Sequence, residues 1–214
     1  MARRDYFTQA CPEPWQILGV RLRPFSLGHY FKLRRLDCAF VNDESRTASM
    51  YDLLMGIAVC SMTSDPDPDK DQFWQWFYGS SKASFRLRLR NAFYALARKA
   101  PLTIAEWDMM AWGKECGEFD FAEKAKLFAR YIAEHSTAPG FWEDTKGETH
   151  ESGAHWSHSV LSVLTGKCGY TLEQAHNAPM SRALFDFYKI AESEGCGRMM
   201  TEQELKLTGT LDGA

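Results

Sequence analysis

Histidines cluster around residue 155, and histidine is the side chain that most often binds transition metals. The segment HESGAHWSH spans 150–158, whereas zinc hydrolases place two histidines four residues apart on a helix so that both point at one ion. His150 and His155 are five apart, roughly 140° around a helix, and Gly153 lies between them. His155 and His158 share a face, but two ligands do not make a tight site. We therefore expect a polar loop leading into a helix, with a metal site as the alternative. Further candidate ligands are Cys168 and His176.

Acidic residues alternate along the segment 65–71, with the spacing of the first ligands in a calcium loop. Lys70 occupies the position that needs glycine, and Trp76 the position that needs a bidentate glutamate. Prolines further restrict the turn. The pattern therefore indicates a solvated linker rather than a calcium site.

The other common chemical motifs do not occur in this sequence. There is no G-x-S-x-G elbow, no Walker loop, no G-x-G-x-x-G and no C-x-x-C pair among the six cysteines. The cysteines carry no local signature of a nucleophile and indicate reduced, partly buried thiols. We therefore expect a protein that is not an enzyme and needs no cofactor.

The charge is nearly balanced, at −3 overall, but it is unevenly distributed. The stretch 82–99, KASFRLRLRNAFYALARK, has basic residues and no acid. Such a surface binds phosphates in some proteins but is more often a solvated face, so we expect no nucleic acid partner. Arginine and leucine alternate over 86–90, which fits a short strand as well as a helix. A nucleic-acid binder would use Arg86, Arg88, Arg90, Arg98 and Lys99.

Apolar residues at helical spacing, separated by glycines and prolines, predict an all-α fold: an irregular multi-helix bundle with few or no strands. Ser26 and Ser49 are good N-caps, and the helix after Ser49 is apolar on nearly every side, as expected of a buried core helix. The predicted helices are 27–37, 50–62, 82–99, 103–112, 119–135, 155–166, 172–177, 180–195 and a last turn after Thr201.

The segment 136–153 is rich in Gly, Thr and acids and predicts a flexible loop. It divides an N-terminal helical domain, 1–135, from a C-terminal helical part, 154–214, with one continuous domain as the alternative. No apolar run approaches the roughly 18 residues of a membrane span. The N-terminus has no apolar signal region, so we expect a cytoplasmic protein without a membrane partner.

Two blocks resemble proteins of phage and prophage tail regions. LGVRLRPFSLGHYFKLRRLDCAFV, at 18–41, is similar to the opening of small tail-region proteins, in which a Pro-Phe-Ser-Leu-Gly phrase leads into a Leu-rich helix. HWSHSVLSVLTGKCGYTLEQAHNAPMSRALFDFYKIAESEG, at 155–195, resembles the C-terminal pattern of tail assembly chaperone-like families. The resemblance implies a mostly helical, non-enzymatic, cytoplasmic protein that coats the apolar tape-measure helix before the tail tube polymerises.

A tape-measure chain exposes apolar helical surface and aggregates unless it is covered. An apolar groove on a helical partner covers such a surface through contacts one turn apart. The protein would then be a helper of virion morphogenesis, in the host cytoplasm, that binds a protein partner and could form a homo-oligomer. The alternative is a structural virion component of the tail or the head–tail connector. The predicted partner-binding residues are Leu27, Tyr30, Phe31, Leu161, Leu164, Phe185 and Phe187.

Overall fold

The computed structural model describes residues 15–42, 46–62, 119–143 and 155–211. These segments are mostly helical and contain two small two-stranded sheets, which confirms the helical class predicted from the sequence. The helices and strands are β1 (Gln16–Ile17), β2 (Val20–Arg21), α1 (Leu27–Arg35), α2 (Met50–Ser61), α3 (Phe121–His135), β3 (Phe141–Glu143), α4 (Trp156–Gly166), α5 (Leu172–Asn177), α6 (Met180–Ser193), β4 (Gly197–Met199) and α7 (Glu202–Leu211).

Helix α1 begins where the sequence predicts and ends two residues earlier. The Ser26 hydroxyl accepts the His29 backbone N–H, and the His29 ring accepts the Ser26 N–H, which satisfies two amides of the first turn. At the other end, Asp37 has a φ of 55°, in the left-handed region. A residue in that conformation stops a helix, and the Cys38 N–H bonds back to the Leu33 carbonyl.

Helix α2 is buried along most of its length, as its all-round apolar sequence predicts. Leu53 and Ile57 have no exposed surface. The helix packs closely on α3 at Gly56, where an added Cβ would lie 2.6 Å from the ring of Phe128. Glycine at this position lets the two helix backbones approach, and it makes the interface sensitive to a single methyl group.

A buried carboxylate fixes the start of α2. Asp52 accepts the backbone N–H groups of Ser49, at 2.8 Å, and Ala39, at 3.1 Å, and it pairs with Arg46 at 2.7 Å. Burial alone would raise the pKa of Asp52, but the hydrogen bonds from Ser49 and Ala39, with the nearby Arg46, lower the pKa below its usual value. Asp52 therefore joins the loop after α1 to the first turn of α2.

The two sheets are details that helical periodicity does not predict. Strands β1 and β2 form a tight antiparallel hairpin around Leu18 and Gly19, both with positive φ, as two-residue hairpin turns require. Strand β3 pairs antiparallel with β4. The first part of the predicted 136–153 loop is therefore a strand over Phe141–Glu143, because it finds a pairing partner after α6.

The segments before residue 43 and after residue 155 pack against each other. The Met180 N–H donates to the Phe25 carbonyl at 2.6 Å, Ser26 and Pro179 form an isolated β-bridge, and α1 lies against α5. The two blocks that carry the resemblance, 18–41 and 155–195, therefore form one packed unit although more than 100 residues separate them in the chain.

Several predictions lie outside the described residues: the helices 82–99 and 103–112, the acidic segment 65–71 and His150. In the segments that the structure covers, no helix is both long enough and apolar enough to cross a bilayer.

Candidate functional site

An open apolar groove of about 630 Å³ lies between α1, α3, α4 and α6. This volume is within the range of sites that bind small molecules or several side chains of a partner. We call it the aromatic groove, because six of its thirteen lining residues are aromatic. The lining consists of Phe25, Tyr30, Phe40, Val41, Ile132, Ser136, Trp156, Ser159, Val160, Met180, Leu184, Phe187 and Tyr188.

Helices α4 and α6 each give one face to the aromatic groove. On α6, Met180, Leu184 and Phe187 follow helical spacing and so lie on one side. The opposite side of α6 carries ion pairs, including Arg182 with Asp186 at 2.9 Å. The amphipathic sequence of α6 therefore directs its apolar side toward the aromatic groove and its charges toward solvent.

Tyr30 of α1 and Trp156 at the start of α4 form one wall of the aromatic groove, and His155 packs against Tyr30. The ring of Tyr30 lies 5.1 Å from Trp156 and stacks on His155 at 6.0 Å. His155 also caps α4, because its Nδ1 accepts the Ser157 backbone N–H. The Trp156 ring also lies 5.5 Å from that of His155, and Trp156 is 44% exposed. This wall therefore presents a large, partly solvated aromatic surface.

The described lining of the aromatic groove has no charged side chain. Its polar groups are the hydroxyls of Ser136, Ser159, Tyr30 and Tyr188. Burial, with a smaller contribution from the negative charge of Glu143, raises the pKa of Tyr188, so this hydroxyl stays neutral. The aromatic groove therefore fits an uncharged, apolar occupant, and a charged group would lose its hydration there without gaining a partner.

Two of the predicted partner-binding residues line the aromatic groove, and two are internal. Tyr30 and Phe187 belong to the lining. Leu27 and Leu164 have no exposed surface and pack in the core. Apolar residues one turn apart predict a buried helical face, but spacing alone does not distinguish a face that meets the core from one that meets a groove.

The other three predicted residues are partly buried outside the aromatic groove. Phe31 and Leu161 pack against the core. Phe31 also contacts the rings of His158 and His176, each at 5.4 Å between centroids. Phe185 is partly buried on α6 and lies outside the lining.

Sequence reasoning did not single out most of the lining. Phe40 and Val41 come from the loop after α1, and Ile132 comes from α3, so no local pattern joins them. In the sequence, Trp156 stands out only as a member of the histidine-rich segment 150–158. Its position at a helix start, one turn before the apolar Val160, was the one local sign that it shares a face with the lining of α4.

The histidines of the segment 155–158 contact aromatic rings. Within the part of the chain that the structure describes, no three His, Cys, Asp or Glu side chains are grouped closely enough to hold a metal ion. The ring of His155 stacks on Tyr30, and the ring of His158 lies against Phe31. His150 lies outside the described residues.

A second cavity, of about 640 Å³, lies at the turn between α4 and α5 and is more polar. Its residues include Cys168, Tyr170 and Arg182. The Tyr170 hydroxyl and the Arg182 guanidinium both donate to Asp186, at 2.7 and 2.9 Å. Burial, and then the charge of Asp186, raises the pKa of the Cys168 thiol, which makes it a poor nucleophile.

Comparison with known proteins gives no relative: no protein-family model matches the chain, and no curated protein and no solved structure matches it.

Proposed function

We propose that this protein is a non-enzymatic helper that covers an apolar helical segment of another protein, and that it acts in phage tail assembly. The aromatic groove is the observation that carries the binding part of this proposal. It is lined by apolar and aromatic side chains of four separate elements, it opens to solvent, and its described lining has no charge.

A helix that docks in such a groove would contact it through apolar side chains one turn apart. The faces of α4 and α6 supply complementary rows of side chains, and Trp156 and Tyr30 supply the aromatic surface that often dominates binding energy. A helper must also release its client, so we expect modest affinity for each site and several copies along a long client.

The assignment to phage tails rests on the resemblance of the blocks 18–41 and 155–195. Those blocks form the unit that contains most of the aromatic groove, so the part of the chain with the family pattern is also the part suited to binding. A tape-measure chain, with its long apolar helix, is the client that this combination favours, and the host cytoplasm is where the two would meet. A structural role in the tail or connector is the second candidate.

Titration of the purified chain with a synthetic helix tests the binding function. The probe is a 20-residue amphipathic peptide with leucine and phenylalanine one turn apart, and calorimetry measures its dissociation constant. We expect Trp156→Ala to weaken binding about tenfold or more, because a large aromatic contact is lost.

Trp142→Ala is the matched control, because Trp142 is 45% exposed and lies outside the aromatic groove. We expect this variant to bind as the wild type does. Equal affinity of all three proteins, or equal affinity for a peptide with lysines on its apolar face, would contradict the binding function. Recovery of the protein in purified virions would favour the structural role over the helper.

A further inference from the structure

The ring of His29 accepts one hydrogen bond and donates another. Its Nδ1 accepts the backbone N–H of Ser26 at 3.2 Å, which caps α1. Because Nδ1 accepts, the ring proton is on Nε2, which donates to the Met62 carbonyl at 2.8 Å. The side chain is 2% exposed. One buried imidazole therefore joins the start of α1 to the end of α2.

Only the neutral form of His29 fits these bonds. A proton on Nδ1 would face the N–H of Ser26, so this hydrogen bond of the capping box would be replaced by repulsion between two donors. An exposed histidine takes up a proton near pH 6.5. As the pH falls below that value, any state in which His29 is exposed gains a proton that the closed state excludes, so opening becomes more favourable by about tenfold per pH unit.

Among the described residues, two further histidines lie near this contact: His135 of α3 lies against Tyr131, at 4.7 Å between ring centroids, and His155 stacks on Tyr30. A variant that changes only His29 therefore separates its effect from theirs. Cys60 of α2 and Tyr131 of α3 have pKa values raised first of all by burial, so both stay neutral in acid. The ring of Phe25 packs between His29, at 6.2 Å, and Tyr131, at 6.0 Å.

We infer that His29 is an acid-sensitive contact that controls one wall of the aromatic groove. Phe25, four residues before His29, and Tyr30, the residue after it, both line the aromatic groove. When His29 takes up a proton, Nδ1 no longer accepts the Ser26 N–H, so the first turn of α1 loses this half of its capping box and this wall opens. The inference does not depend on which partner the aromatic groove binds.

Amide hydrogen exchange, measured between pH 7.5 and 5.0 and corrected for the intrinsic exchange rates, tests whether protonation of His29 opens the start of α1. We expect the opening constant of the segment 22–36 to rise about thirtyfold over this range in the wild type. The segment 183–193 of α6 serves as a reference and should change little. No rise in the segment 22–36, or an equal rise in both segments, would overturn the inference.

His29→Gln is the matched variant, because a glutamine amide has one acceptor and one donor and does not titrate. A glutamine already makes the same kind of cap elsewhere in the chain, because the Gln174 side chain accepts the Thr171 backbone N–H at the start of α5. We expect the segment 22–36 to open equally at all pH values in this variant, and a rise equal to that of the wild type would show that another group is responsible.

Nitrogen NMR of histidine-labelled wild-type protein gives a second measurement that needs no variant. We expect His29 to remain in the Nε2–H form at pH 5.5 in the closed state. Titration of its ring near pH 6.5 without opening of α1 would contradict the inference.

Discussion

Helix α2 and the aromatic groove both consist of apolar residues, but they differ in what those residues contact. On α2, Leu53, Ile57 and Val59 have no exposed surface, and Phe128 packs against the helix at Gly56. Around the aromatic groove, faces of α1, α3, α4 and α6 meet at a volume of about 630 Å³ that their own side chains leave open.

The difference shows that apolar content alone does not indicate whether a helix stabilises the fold or forms a surface that a partner can bind. Helix α2 is apolar on nearly every side and packs mostly in the interior. Helix α6 is amphipathic, and its apolar side is shared between the core, at Ala183, and the aromatic groove, at Phe187. A binding surface arises where amphipathic faces converge without filling the space between them.

The largest expected effect on stability comes from removing a core side chain of α2. Ile57→Ala should lower the free energy of unfolding by about 2–5 kcal/mol, because Ile57 is fully buried and its removal leaves a cavity. Urea unfolding followed by circular dichroism measures it. A loss below about 1 kcal/mol would mean that α2 is not the interior element described here.

Asp52→Asn should have an intermediate effect, of about 1–3 kcal/mol at pH 7, since the buried acceptor of several hydrogen bonds loses its charge. The folded-state pKa of Asp52 is lowered, so its contribution is present above the ordinary aspartate range and is lost as the pH falls through the lowered value. The wild type and the variant should therefore converge in stability in strong acid. A difference that does not depend on pH would contradict this role.

A smaller effect on stability is expected at the rim of the aromatic groove. Trp156→Ala should cost about 1 kcal/mol or less, since Trp156 is nearly half exposed and packs on Tyr30 and His155. Trp142→Ala, at similar exposure, should cost a similar amount. Thermal unfolding of both variants checks this, and a loss of several kcal/mol at Trp156 alone would make it a core residue and remove it from the binding surface.

Within the segments that the structure describes, local sequence signals predicted the helices and their starts well. Ser26 and Ser49 cap helices as expected, because a capping side chain and the amides that it satisfies lie within four residues. The hairpin at Leu18 and the β3–β4 pair were not predicted, since strands of two or three residues show no measurable alternation and depend on a partner elsewhere in the chain.

The candidate site was predicted only in part, for a related reason. Tyr30 and Phe187 line the aromatic groove, whereas Leu27 and Leu164, with the same spacing pattern, are fully buried. Periodicity determines which side of a helix is apolar, but which of those residues remain accessible depends on how α1, α4 and α6 cross. That arrangement rests on long-range contacts such as the bond from Met180 to Phe25.

The most direct test of the central claim is the unfolding free energy of Ser159→Phe, which places a large side chain in the aromatic groove. Ser159 lines the open volume, so we expect stability within about 0.5 kcal/mol of the wild type, or higher. Ala183→Phe, at a fully buried position of α6, is the control and should lose about 1–3 kcal/mol or more by overpacking. A comparable loss in Ser159→Phe would mean that the protein itself already fills this space, and it would contradict the existence of a surface available to a partner.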